Sequence, residues 1–245
     1  MRGSRVTTAV LGAALLAAPA TLTAPTAAQA APSAMTAPAA AAAWAKPVPK
    51  GDVTSRVDVD GDGRGDLTTF RTISRDQETA RYRLTVRTSR GKTSSLSFAL
   101  PDYLDQPASD FWVGATGIDG VRGNEIVLDL IGGVGDATDI RTYAWRNGKL
   151  VLVPAAGSSS RFPNWPLMWV DFGRATGFTF SMGKSGIRYV TKHDLKASRS
   201  GRTFTGTNTL YRWSGNGWRK LKTTKVSVNR KVASSYTDLN GLTWR

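Results

Sequence analysis

The segment Val57-Asp58-Val59-Asp60-Gly61-Asp62-Gly63-Arg64-Gly65-Asp66-Leu67 carries four carboxylates in nine positions, at 1, 3, 5 and 9 counted from Asp58. Like charges this close repel one another in a folded loop unless a cation sits among them. Oxygen ligands at alternate positions, on a backbone tightened by Gly61, Gly63 and Gly65, suit a hard cation of Ca²⁺ size. A helix–loop–helix calcium site carries Glu at position 12, and here that position is Thr69, so flanking helices are not expected. The flanks are β-rich and turn-bounded, with Arg56-Val57 leading in and Leu67-Thr68-Thr69-Phe70 leading out. The loop is therefore expected to join two strands and to hold one Ca²⁺; the plainer account is a solvated Asp/Gly turn.

Outward from the loop, the sequence reads as short strands and turns. Tyr82 to Arg87 alternates, Ser89 to Lys92 turns, and Ser95 to Leu100 follows. Next come Phe111 to Ala115 and Glu125 to Ile131, then Ile140 to Trp145 and Leu150 to Val153 around Asn147-Gly148, a strong hairpin signal. No long segment after Lys50 keeps a 3.6-residue apolar period; Thr191 to Ala197 could supply a turn or two of helix. The class expected is all-β.

A degenerate repeat organises these strands. Asp60-Gly61, with Asp66-Leu67 behind it, aligns with Asp119-Gly120 and Glu125-Ile126. In the second copy Gly117 stands in the place of Asp58 and Val121 in the place of Asp62, so it should keep the turn and lose the ion. Farther on, the Tyr143-Ala144-Trp145 strand and its Asn-Gly turn resemble Tyr211-Arg212-Trp213 and Asn216-Gly217. Three β-meander units are expected, near 52–100, 110–154 and 167–228, within one β-repeat domain over 51–245.

The run VDVDGDGRGDLTTF, with GATGIDGVRGNEIVL after a strand pair, resembles the FG-GAP or VCBS calcium-loop β-repeats of secreted bacterial proteins and integrin-like propellers. The likeness covers about residues 57–153 and is weaker beyond. It implies a structural Ca²⁺ held by side-chain oxygens of Asp58, Asp60, Asp62 and Asp66 and by the backbone carbonyl of Arg64. It also implies blade-like units, yet closed propellers need at least about four four-stranded blades. Three units are too few for a regular seven-bladed form. They either pack as a compact β domain, the arrangement expected here, or form an open array that needs a cap or partner.

Upstream, Met1-Arg2-Gly3-Ser4-Arg5, an apolar run and Ala28-Gln29-Ala30 read as a signal peptide over 1–30, cleaved after Ala30, and hence a secreted, extracellular protein. Residues 31–50 are Ala/Pro-rich and read as a linker. No later stretch is long enough to span a bilayer. With no cysteine there is no disulfide, which leaves a cation as a candidate staple for the loops.

Net charge is +15, and it is lopsided: Ser181–Arg245 holds 14 Lys/Arg against 2 Asp/Glu. Such an excess concerns encounter with polyanions, here anionic cell-wall polymer or acidic polysaccharide; no specific nucleic-acid motif is present. Lys220, Lys222, Lys225, Arg230 and Lys231, in WRKLKTTKVSVNRK, are the candidate contacts, with Trp218, Lys220, Lys222 and Thr224 expected on one side of a protruding hairpin. The Phe162–Trp169 segment, aromatics among prolines, suits either a carbohydrate platform or core packing.

Catalytic inventory is thin. His193 is the only histidine and is expected in a turn or at the surface; its neighbour Asp194 should point elsewhere. No nucleophile elbow or phosphate-binding loop is present. Two function classes remain: a non-catalytic, calcium-stabilised binding or adhesion module at the cell surface, and an extracellular polysaccharide or peptidoglycan hydrolase working with a carboxylate pair.

Overall fold

The computed structural model describes residues 51–245 apart from 77, 102–105, 132–137 and 185; the expected signal peptide and the Ala/Pro-rich segment lie outside the described residues. The chain forms three sheets. The first is an antiparallel meander of β1 (Val53–Val57), β2 (Asp66–Arg75), β3 (Thr79–Arg87) and β4 (Thr93–Pro101). The second repeats it with β5 (Trp112–Thr116), β6 (Glu125–Asp129), β7 (Ile140–Arg146) and β8 (Lys149–Val153). In the third, β9 (Arg174–Met182), β10 (Arg188–Ala197), β11 (Thr203–Trp213) and β12 (Trp218–Asn229) pair in sequence, and β13 (Leu239–Asn240) adds in parallel on the far side of β9. The three units are meanders, as the repeat predicts, and none closes into a barrel or a regular propeller.

Local sequence explains the layering. In β3, Ala80, Tyr82, Leu84 and Val86 turn inward while Arg81, Arg83 and Arg87 stay outside, the alternation of a half-buried strand. In β6 every residue is buried, the central Ile126, Val127 and Leu128 apolar and the terminal Glu125 and Asp129 hydrogen-bonded, so the strand shows no alternation of burial. Ile126 and Leu128 face a core shared with Phe70, Tyr82 and Leu84 of the first sheet. Val127 faces a second core with Trp165, Phe178 and Phe180 against the third sheet. The middle sheet is therefore apolar on both sides. Beyond the third sheet, Ala175, Leu195 and Phe204 pack with Ala233 of a short helix, α1 (Arg230–Ser234), capped by the Asn229 side chain.

Asn147 and Gly148 both have positive φ, closing β7 to β8 in the two-residue turn the sequence predicts. Two expectations need correction. Thr191 to Ala197 is strand, not helix, because it is zipped on both sides by β9 and β11. Arg230 and Lys231 leave the strand and enter α1.

The chain after β13 ties the sheets together. Arg245 exchanges backbone hydrogen bonds with Ala115 of β5 (N–H to O at 2.9 and 3.5 Å), and the Thr116 hydroxyl donates to the Thr243 carbonyl. One segment thus covers an edge of the second sheet and an edge of the third, strands that would otherwise present unpaired N–H and C=O groups.

Candidate metal centre and the seam between repeats

The loop between β1 and β2 is built on its own carboxylates. Asp66 is fully buried, and its Oδ2 accepts from the N–H groups of Val59 (2.7 Å) and Asp60 (3.1 Å) while Oδ1 accepts from Ser89 (2.8 Å). Asp58 accepts from Gly61 and Asp62 at Oδ1 and from Gly63 at Oδ2. Asp60 Oδ1 accepts from the Asp62 N–H. Asp66 Oδ2 and Asp58 Oδ1 each accept two N–H groups, whereas Asp66 Oδ1, Asp58 Oδ2 and Asp60 Oδ1 accept one each and keep acceptor capacity.

Carboxylate oxygens of Asp58, Asp60 and Asp66 lie within 4.8 Å of one another. Contacts of about 2.3–2.6 Å to a central Ca²⁺ span up to about 5.2 Å between opposite oxygens, so this set fits such an ion. Burial pushes the Asp60 carboxyl up from its ordinary value, and the charges of Asp66 and Asp62 push in the same direction, while the Asp62 N–H opposes them. None of these three carboxylates forms an ion pair among the described residues, and Asp60 lines a cavity of about 450 Å³ that opens the cluster to solvent. Asp62 is oriented elsewhere: its Oδ2 accepts from the Ser89 hydroxyl at 2.6 Å and meets the Arg90 guanidinium at 3.3 Å. The Ser89 bond, then the Arg64 N–H, hold its carboxyl below the usual range. Arg64 is exposed on the loop.

Two substitutions separate structure from ion. Asp66→Ala strands three N–H donors and removes one of the clustered carboxylates, so it should cost about 3 kcal/mol in EDTA and abolish the calcium-induced rise in melting temperature as well. Asp60→Ala frees only the Asp62 N–H and relieves like-charge repulsion, so its main effect should be on the calcium response.

The second copy repeats the geometry with a different charge solution. The Ile118 N–H donates to Glu125 Oε2 at 2.6 Å, matching Val59 and Asp66. The cation, however, is covalent. Arg146, at the end of β7, bridges Asp119 (2.5 Å) and Glu125 (3.2 Å), whose side chains are 0% and 1% exposed. Burial and the neighbouring Asp119 charge push the Glu125 carboxyl up to about 8, against the pull of the Ile118 N–H and Arg146. Nothing in the sequence singled out Arg146, because its partners are 27 and 21 residues away.

The repeats also interlock. The Asp58 carbonyl accepts from both the backbone and the side-chain N–H of Asn124, at 2.8 and 2.7 Å. The equivalent carbonyl, Gly117, accepts from Arg188 at the start of β10, at 2.5 Å. Each loop is thus capped by the next unit.

The five basic candidates do not form one patch. A bulge between Lys220 and Lys222 places Lys220 opposite Tyr211 and Lys222 opposite Leu210, on opposite faces of the sheet, which corrects their expected common side. Lys225 shares the Lys220 face. Arg230 pairs with Asp171, and Lys231 is exposed on α1. In the aromatic loop Trp165 is fully buried against Phe178 and Phe180, while Phe162 is 62% exposed.

His193 is also corrected: it is buried on β10, with its ring stacked on Tyr236 at 3.9 Å. Nδ1 meets Asn208 Oδ1 and Nε2 meets Thr179 Oγ1, both at 2.9 Å, which sets a neutral ring donating to Asn208 and accepting from Thr179. Burial lowers its pKa further. The Thr–His–Asn chain has the order of a nucleophile, base and orienter, but Tyr236 and the backbone over Gly177 cover it, so it braces the sheet. Among the described residues no helix is long and apolar enough to cross a membrane. Comparison with family models, with characterised proteins and with solved structures returned no match, so the chain is described by what its residues build: an all-β domain of repeated antiparallel sheets with a three-aspartate cluster on its first loop.

Proposed function

We propose that this chain is a secreted, non-catalytic β-repeat module of the FG-GAP or VCBS type, stabilised by one Ca²⁺ and serving binding or adhesion through its basic third unit. The observation that carries the reading is the Asp58, Asp60 and Asp66 cluster, set on a loop whose second copy holds a guanidinium between its carboxylates. A loop repeated twice, with a fixed cation in one copy and clustered oxygens in the other, is accounted for by a mobile cation in the latter. Asp58, Asp60 and Asp66 would hold it, with the Arg64 carbonyl and a reoriented Asp62 completing the shell. The ion supplies charge neutralisation and rigidity at the seam. The partner is an anionic cell-wall polymer or acidic polysaccharide met outside the cell after cleavage behind Ala30.

Extracellular sites of this kind bind with Kd on the order of 10⁻⁴ to 10⁻³ M. At about 1 mM free Ca²⁺ and Kd about 10⁻⁴ M, binding to the folded state adds roughly 1.4 kcal/mol. Titration calorimetry is expected to give one site per chain, with Mg²⁺ a poor substitute. Asp60→Ala should abolish the calcium heat and thermal shift, and Glu125→Gln should leave both intact. No heat and no shift up to about 10 mM Ca²⁺, well above the Kd range for such sites, would remove the ion from the reading. Zymography on wall material tests the activity side: clearing by the purified protein would replace the binding module with a hydrolase.

A further inference from the structure

The third sheet has two faces with different fates. One carries Leu195 and Phe204 into the core under α1. The other is set by the strand register, since directly opposed residues project to the same side. One rung across it is Arg174, Lys196, Thr205 and Ser227. The next is Thr176, Asp194, Thr207 and Lys225. A third, from Phe178 through Lys192 to Thr209 and Thr223, runs into the second core and ends the face. Arg174, Lys196, Thr205, Lys225 and Ser227 are exposed.

The arrangement along β11 is regular. Thr203, Thr205, Thr207 and Thr209 occupy alternate positions, so their hydroxyls form a line with a spacing of about 6.8 Å. The Thr209 hydroxyl lies 3.2 Å from that of Thr223 on β12. Lys192 and Lys196 flank this line on β10 and Lys225 flanks it on β12, each about 4.8 Å away across the ladder. Asp194, 3.7 Å from Arg174, is the one carboxylate on these rungs. The face is cationic on both sides and hydroxylated along its middle.

We infer that this face, a threonine track on β11 between lysines of β10 and β12, is the binding surface for an extended carboxylated polysaccharide. Charge complementarity selects a polyanion. The hydroxyl line selects a ligand rich in hydroxyl and carboxylate oxygens, whose hydroxyls donate to and accept from Thr and whose carboxylates accept from it. The exposed rungs hold no aromatic ring for bases to stack on, so the surface is not built for single-stranded nucleic acid. The inference rests on the proposed polyanion-binding role and moves its site from the Lys220–Lys231 stretch to residues of three strands, of which only Lys225 was among the five basic candidates.

The test uses the full chain from Ala31 and a short oligogalacturonate, with EDTA present so that free calcium does not cross-link the ligand. Lys196→Glu with Lys225→Glu should weaken binding at least tenfold and lower the slope of log K against log salt by about one to two. Lys222→Glu with Lys231→Glu makes the same change in net charge on the opposite face and on α1, and should weaken binding less than threefold. Thr205→Val with Thr207→Val should weaken it severalfold and leave the salt slope unchanged, since hydroxyls release no counterions. Equal losses in the two lysine pairs, or full affinity in the valine variant, would overturn the surface while leaving polyanion binding intact. Tighter binding to duplex DNA than to oligogalacturonate, lost in the same variants, would overturn the polysaccharide assignment. A wild-type chain that binds neither at low salt would bring down the polyanion role itself, and this inference with it.

Discussion

Arg146→Met is expected to lower the melting temperature by on the order of 10 °C, more than removal of calcium does. The substitution keeps the aliphatic packing and deletes the guanidinium that bridges Asp119 and Glu125. Breaking a buried ion pair by removing one partner costs about 3–5 kcal/mol, because the other charge stays buried and unpaired; in a domain of this size each kcal/mol is worth about 2–4 °C. The loss should depend on pH in a definite direction. Glu125 titrates near 4.5 when unfolded and at about 8 in the fold. The folded state therefore holds more protons between those values, and stability falls as pH rises through the window, by up to about 1.4 kcal/mol per pH unit. Without Arg146 the folded value rises further, so the deficit should be level below about pH 8, where Glu125 is protonated in both folded proteins, and widen above it. Glu125→Gln keeps an acceptor for Ile118, so it should flatten the wild-type pH slope and remove the part of the Arg146→Met deficit that appears above about pH 8, leaving the part due to Asp119. Thermal melts from about pH 4.5 to about pH 10 on the two single variants and the double variant measure this. Equal deficits at all pH values would show that Arg146 matters through packing rather than charge.

Gly123→Ala is expected to open the seam between the first two units. Gly123 has φ +103°, and a Cβ there would lie 2.4 Å from the Val59 carbonyl oxygen and 3.1 Å from the Gly61 nitrogen. Both are backbone atoms of the aspartate loop, so no side-chain rotation relieves the clash. We expect a cost of about 3 kcal/mol or more, accompanied by loss of the calcium response, because the atoms displaced carry Asp58 and Asp60. Gly148→Ala is the control: its φ of +81° is equally unfavourable to a side chain, but nothing lies within 4 Å. It should cost about 1–2 kcal/mol and leave calcium binding as it is. A Gly123→Ala protein that melts normally and binds one Ca²⁺ would show that the two loops do not depend on each other.

The sequence exposed what is local and hid what is shared between units. The loop carboxylates, the Asn147-Gly148 turn, the alternation of β3 and the Asp60/Asp119 repeat all lie within short windows, where period and spacing can be read directly. Arg146 could not be assigned, since its role depends on a hairpin folding back over a loop. Lys220 and Lys222 share a side only in a regular strand, and the bulge beside Tyr211 reverses that parity. Strand and short helix look alike in Thr191 to Ala197, and only pairing with β9 and β11, which buries His193, decides between them. The Thr203 to Thr209 alternation was visible as a T-x-T-x-T-x-T pattern, but the cations beside it come from other strands.

The segment that pairs with β5 sets a timetable for folding. Thr116 meets Thr243, 127 positions later in the chain. During synthesis β5 is complete long before its partner exists, and contacts of such high sequence separation form slowly. In the interval the edge of β5 is bare, a template on which another strand could pair wrongly. The edge of β5 therefore stays open until residues 243–245 dock on it.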